Sequence, residues 1–395
     1  MNTFTRLILC LCLPLAMAGC ASMREIPPPP ASEVFKDAAY KPPQKPINAR
    51  DLFALSPAMR SYLHSAEFSG LVQRLGPENG LVDALYKKGE LRLEYDATVT
   101  RTAAETFEAR MGNCLSLVLM TAAFAKEMGM QVYYQDVMME ENWSRSNGLY
   151  FASTHVNLSL SKRQTEALRS YSREERRLTI DFLRPEDMAN YRSHPLEERQ
   201  IVAMFMNNRA AEELSARRLD EAYWWARAAI EHSPTFATAY NTLGVIYQRS
   251  NDQAMAERAF MATLKLEPES TIAMHNLVPV LASLGRKEES LAMATRLKSL
   301  EPTPPFFYFH RGMKAMEKGE YAEAKEMFAK EVRRAPYNHE FHFWLGLAHW
   351  RLGDSGAARE QLNLALETST THNATELYSA KLAYLRNLTS RTRSN

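Results

Sequence analysis

The chain has 395 residues, 24% of them charged, and 48 Lys and Arg almost balance 46 Asp and Glu for a net charge of +2. With both signs interspersed and no basic stripe, the composition gives no ground for a nucleic-acid partner. Beyond the first twenty residues no run is apolar and long enough to cross a bilayer as a helix, and the length left after the N-terminal segments suits two domains.

The chain begins "MNTFTRLILCLCLPLAMAGC": one arginine, an apolar run from Leu7 to Leu15, then small residues before a cysteine. The run is too short to span a membrane and has the layout of a secretory signal. Met17-Ala18-Gly19-Cys20 resembles the bacterial lipobox, with Met17 in place of the commoner leucine. The resemblance implies a signal peptide over 1–19 and a lipid on Cys20. With Ala21 next, it implies an outer-membrane anchor facing the periplasm. Residues 20–50, including "REIPPPPASEVFKDAAYKPPQKPINA", read as a proline-rich tether expected to stay extended and solvated. Cleavage removes Cys10 and Cys12 and lipid caps Cys20, which leaves Cys114 as the one free thiol. In an oxidising compartment such a thiol is either a small buried hydrophobe or a nucleophile.

Between 51 and 200 the pattern predicts helices in "LSPAMRSYLHSAEF" and "GLVDALYKKGEL", then a tight glycine turn leading into a long buried helix over "CLSLVLMTAAFAKEMG". Gly129 is expected to cap the end of that helix. Three strand-like runs follow, "MQVYYQDVMM", "STHVNLSLS" and "RRLTIDFL". Helices first and sequential strands after them indicate an α+β domain with an antiparallel sheet. The stretch around Trp143 reads as either a substrate lid or an ordinary hairpin connection.

Cys114 opens a helix, where unpaired amide N–H groups and the helix dipole favour a thiolate. A thiol also needs a base, and the domain offers His64, His155 and His194. His155 lies in one strand run and Asp181 in the next. An imidazole can take the thiol proton and return it to an amine, and a carboxylate can orient the ring. The backbone N–H of Cys114 is the natural oxyanion donor, with Gln135 a weaker candidate for the second. Asn113 reads as a turn residue or as part of the site.

In the second half, prolines fall at 234, 268, 302 and 336, each 34 residues from the last. Ala222, Ala256, Ala324 and Ala358 keep the interval, with Ser290 in the gap. Gly244, Gly312 and Gly346 share a column with Ala210 and Val278, and Phe260, Phe328 and Leu362 share another. Small residues let two helices approach, large ones fill between them, and the proline starts the next link. "AYNTLGVIYQRSNDQAMAERAFMATLKLEP" resembles the tetratricopeptide repeat. Five units are expected over 203–369, with a capping helix and tail over 370–395. Phe306, Phe309, Phe343 and Trp344 form either an aromatic peptide groove or a face packed against a neighbouring element. "NHEFHFWLGLAH" has only two residues between His339 and His342, so it is not the HExxH zinc motif, and no metal site is expected.

The order Cys114, His155, Asp181, with "RMGNCLSLVLMTAAFAKEMGMQVYYQDV", "THVNL" and "TIDF" around them, resembles the transglutaminase-like superfamily of cysteine enzymes. The resemblance implies an α+β, papain-like domain with Cys114 as nucleophile, His155 as base and Asp181 as orienting acid. Leu115 departs from the tryptophan that often follows the cysteine, and the proline motif after the aspartate is loose, with Pro185 four residues on. The expected whole is an α+β thiol-enzyme domain followed by an all-α repeat superhelix. It would cleave or transfer an amide bond, without a cofactor, on a protein or peptide held by the repeats. The rival expectation is a non-catalytic lipoprotein scaffold that assembles envelope partners through those repeats.

Overall fold

Side-chain caps mark where the first helices begin. The computed structural model describes residues 27–87, 93–96, 99–146, 149–161, 177–182, 192–369 and 372–393. Residues 1–26, where the signal peptide and the lipidated Cys20 are expected, and Pro185 lie outside the described residues. Helices α1 (Ala31–Val34), α2 (Pro57–Leu63), α3 (Ala66–Leu75) and α4 (Pro77–Val82) come first. Ser56 and Ser65 accept the N–H bonds of Met59 and Phe68, and Pro57 and Pro77 sit in first turns, where an N–H would lack a partner. Strands β1 (Glu94–Tyr95) and β2 (Met111–Gly112) pair in parallel on either side of α5 (Ala103–Ala109). Helix α6 (Cys114–Glu127) is buried without interruption from Leu115 to Ala125. It ends as the sequence suggested. Gly129 is left-handed (φ 74°), and the N–H groups of Met130 and Gly129 bond the carbonyls of Ala125 and Lys126 at 2.9 Å.

A four-stranded antiparallel sheet follows, made of β3 (Gln131–Ser146), β4 (Leu149–Ser161), β5 (Leu178–Ile180) and β6 (Arg192–Leu196) in the order β5-β4-β3-β6. Two features differ from the sequence reading. The stretch around Trp143 is paired strand. After an irregularity between Val137 and Asn142 the ladder resumes, from Asn142 opposite Ser153 to Ser146 opposite Leu149. The fourth strand, β6, was hidden by Pro195, and it sits at the sheet edge, where a missing donor is tolerated.

The rest is helical. Five hairpins, α7 (Glu198–Ser215) with α8 (Leu219–His232), α9 (Ala237–Arg249) with α10 (Gln253–Leu266), α11 (Thr271–Ser283) with α12 (Lys287–Leu300), α13 (Phe307–Lys318) with α14 (Tyr321–Arg334), and α15 (His339–Arg351) with α16 (Ser355–Glu367), precede α17 (His372–Arg393). The repeat columns are the packing contacts. Ala222, Ala256, Ala324 and Ala358 are fully buried. Gly244 and Gly312 lie so close to the Phe260 and Phe328 rings that an added Cβ would meet them at 2.5 and 2.6 Å. In the third unit the pair is exchanged, Val278 and Ala294 taking the glycine and phenylalanine places.

The array is not uniform. One apolar core runs from Val34 through the sheet and into α12, whereas α13–α15 and α15–α17 have cores of their own. Helix α12 barely touches α13, and between them lies "EPTPPF", whose prolines 302, 304 and 305 cannot continue a helix ladder. A further correction concerns 20–50. From Val34 to Gln44 this segment is not a solvated tether but lies against α8, α9 and α10, with Val34 2% exposed.

Replacing Gly244 by valine is expected to lower stability by about 1–3 kcal/mol through overpacking against Phe260. A urea titration followed by helical circular dichroism would measure it, and an unchanged midpoint would show that the ring can move aside.

Candidate active site

The site starts from a cap. Asn113 precedes α6 with extended backbone (φ −74°), and its Oδ1 accepts from the Ser116 N–H at 2.9 Å and the Ser116 hydroxyl at 2.8 Å. Its Nδ2 donates to Thr100 Oγ1 at 2.9 Å. Asn113 is thus the N-cap of the cysteine helix, and the left-handed residue of this turn is Arg110 (φ 55°). Gly112 is required by a close approach: a Cβ there would stand 2.7 Å from the Ser116 Cβ. Thr100 carries the network onward, its N–H donating to Glu212 Oε1 on α7 at 2.6 Å, while Arg209 bonds the other oxygen at 2.8 Å.

These bonds present the half-buried Cys114 thiol to β4. There His155 lies beside Cys114 and is hydrogen-bonded through Nε2 to Asp181 Oδ1 at 2.7 Å. A carboxylate only accepts, so Nε2 carries the proton and Nδ1 is the nitrogen left for the thiol. Asp181 follows β5 directly, and its Oδ2 accepts from Asn157 Nδ2 at 2.6 Å. Side-chain exposure is 7% for His155 and 11% for Asp181. Burial alone would depress the imidazole, but the bond to Asp181 and the neighbouring Cys114 outweigh it and raise His155 to about 9.

The structure therefore brings Cys114, His155 and Asp181 together, with Asn113 behind them. Gln135 is half-buried opposite Asn157 across the β3–β4 ladder. Sequence reasoning passed over Asn157, although period-two alternation puts it on the same face as His155. Its Oδ1 is buried without a hydrogen-bond partner among the described residues. Asp136, one residue from Gln135, has its carboxyl raised by burial, with His194 and His155 opposing.

The aromatic positions are a different matter. Phe306 and Phe309 are 1% and 0% exposed, in contact with Phe341 and each other. Phe343 stacks on Tyr378 of α17 at 4.9 Å, and Trp344 packs against Phe309 and Phe328. They fill cores and offer no open groove, because α17 closes the face on which Phe343 lies. Among the nearby histidines, His342 is fixed between Gln361 and the Pro336 carbonyl, both at 2.8 Å.

Removing the cap by Asn113→Ala is expected to cost about 1–2 kcal/mol, read as a lowered denaturant midpoint. A second expectation follows from linkage. With its folded pKa raised from 6.5 to about 9, protonated His155 stabilises the fold fully below about pH 6.5, and that contribution is lost as pH rises through about 9. The melting-temperature advantage of the parent over His155→Gln should shrink across that window, and a constant difference would contradict the raised value.

The family models that match fall in the helical half. Family models described as tetratricopeptide repeat match residues 237–270 and 310–373, so the chain contains tetratricopeptide repeats. A stretch of 151 residues is 24% identical to the protein STIP1 homolog of Dictyostelium discoideum, covering 36% of this chain and 25% of that protein. The chain thus spans about a quarter of that relative's length. Among solved structures, YrrB, described as a TPR protein with an unusual peptide-binding site, is 24% identical over 46% of this chain and 92% of its own, with a TM-score of 0.25. Pseudomonas aeruginosa pilF is 18% identical over 50% and 90%, with a TM-score of 0.29. Repeats of this kind are protein–protein interaction modules.

Proposed function

We propose that the chain is a lipid-anchored envelope protein whose repeats hold a protein partner and whose first domain is a transglutaminase-like thiol enzyme acting on amide bonds. The observation that carries the catalytic half is the juxtaposition of Cys114, at the start of a buried helix, with His155, which is hydrogen-bonded to Asp181 at 2.7 Å. The Cys114 sulfur would attack an amide carbonyl, with the negative oxygen facing the Cys114 backbone N–H. Collapse of the adduct breaks the C–N bond. His155, protonated at neutral pH, gives its proton to the departing amine, leaving a thioester on Cys114. Water, losing a proton to the now neutral His155, then releases the acid and the thiol; a second amine in place of water would give a transferred amide. In water, hydrolysis is the default outcome. Asp181 stays ionised and orients the ring.

A second reading has its own support, since the matched repeats speak for partner binding and not for turnover. In it the protein is an assembly scaffold, and the thiol domain keeps the geometry without the reaction.

Two measurements separate the readings. Cys114 in the parent should be alkylated by iodoacetamide at neutral pH at least about tenfold faster than in His155→Ala, since only the thiolate reacts and the imidazolium stabilises it. A purified parent chain given a glutamine-rich protein and a fluorescent primary amine should release ammonia or fix the amine, and Cys114→Ala should do neither. Equal alkylation rates together with no turnover would sink the enzyme reading and leave the scaffold.

A further inference from the structure

The segment from Val34 to Gln44 is held as a bound peptide is held, through its backbone. Tyr247 donates to the Val34 carbonyl at 2.7 Å. The Lys36 N–H donates to the Tyr223 hydroxyl at 2.9 Å, and Trp224 donates to the Lys41 carbonyl at 2.6 Å. The N–H groups of Lys41 and Gln44 donate to Asp220 and Glu221 at 3.1 and 2.8 Å. Five backbone groups are thus read by side chains of α8 and α9. Side-chain recognition is added on top. Tyr40 stacks on Tyr223, with centroids 4.0 Å apart and planes 4° from parallel. Lys36 Nζ pairs with Asp252 Oδ2 at 2.6 Å, and Asp37 accepts from Arg227 and Tyr223 at 2.9 and 2.6 Å.

This contact enters the main core at Val34, with Phe35 and Tyr40 half-buried against it, and elsewhere lies at the surface. Val34 is the one residue from Val34 to Gln44 that is fully buried; most of the others are exposed. Bonds of that kind open locally at lower free energy than the packed helices beneath them. Prolines at 27–30 and 46 flank the segment, Pro42 and Pro43 lie within it, and Asp37–Ala39 form one short 3-10 turn, so the prolines restrict the free chain and lower the ordering entropy that opposes its exchange.

We propose that α8, the end of α9 and the start of α10 form a peptide-binding surface, occupied in this chain by its own residues Val34–Gln44, which a partner must displace. The partner is a peptide bearing an aromatic residue to stack on Tyr223 and, one turn before it, a basic residue to meet Asp252. This deepens the partner-binding half of the proposed function and is independent of the thiol chemistry.

The test uses a fluorescent 17-residue peptide copying residues 31–47, added to the full chain and followed by anisotropy. In the parent its own segment competes, so binding is weak. In Lys36→Ala/Tyr40→Ala the affinity should rise by about tenfold or more as the site is vacated, and adding Tyr223→Ala should abolish it. Equal affinity for parent and double variant, or binding to neither, overturns the proposal. Hydrogen exchange on the parent guards against misfolded variants. The amides of Lys36, Lys41 and Gln44 should exchange at least about a hundredfold faster than those of α9. Exchange at the α9 rate would make the segment a permanent part of the fold. Loss of alkylation selectivity at Cys114 would leave this proposal untouched, and failure of peptide binding would leave the thiol reading untouched.

Discussion

The two bonds in which Asn113 accepts from Ser116 and donates to Thr100 fix where α6 begins, and the position of the Cys114 thiol follows from that. Asn113 is buried, and rotating its amide away would strand buried groups at a cost of about 1–3 kcal/mol each. Gly112 lets the chain come close enough for the cap to form. Because Thr100 also bonds Glu212, the start of the cysteine helix is held at once by its own domain and by the first repeat helix.

That double hold explains the distribution of the core. Helix α7 is shared. It carries Glu212 toward Thr100, Glu198 toward Tyr134 and Lys126, and Phe205 toward Trp225. The first three repeats are therefore a mount for the sheet domain as much as an array of their own. In a solenoid each unit is stabilised by its neighbours, so the thin contact between α12 and α13 divides the array into two units that gain little from each other. The outer unit compensates with α17, whose Tyr378 and Leu382 complete its last core.

How much of this could be read from the sequence depended on whether the cause was local. A glycine turn before an apolar helix, two alternating strands and a 34-residue register are local patterns, and they located Cys114, His155, Asp181 and the repeat hairpins. Phe309 and Phe343 carried a missed signal of the same kind. They are one repeat apart, in a single packing column, which argues for a core role over a groove. Strand β6 was obscured by Pro195, because a proline argues against a strand except at an edge. The docking of Val34–Gln44 had no local signature at all. Its partners lie about 180 or more residues away, and the surrounding prolines describe an extended chain equally well whether it is solvated or bound.

On the thiol-enzyme reading, the bonds around His155 also dictate an order of events. Asp181 has one oxygen on His155 and the other on Asn157, so both are engaged and it remains an acceptor throughout, unable to take the ring proton cheaply. With its pKa near 9 the ring holds that proton at neutral pH, which makes it an acid before it can be a base. Only when a leaving amine has taken the proton does Nδ1 become free to accept one from water or a second amine. A site so arranged gives no help to a nucleophile that arrives before the thioester has formed. Acylation of the thiol must therefore come first, and the choice between water and amine is made after the first product has left.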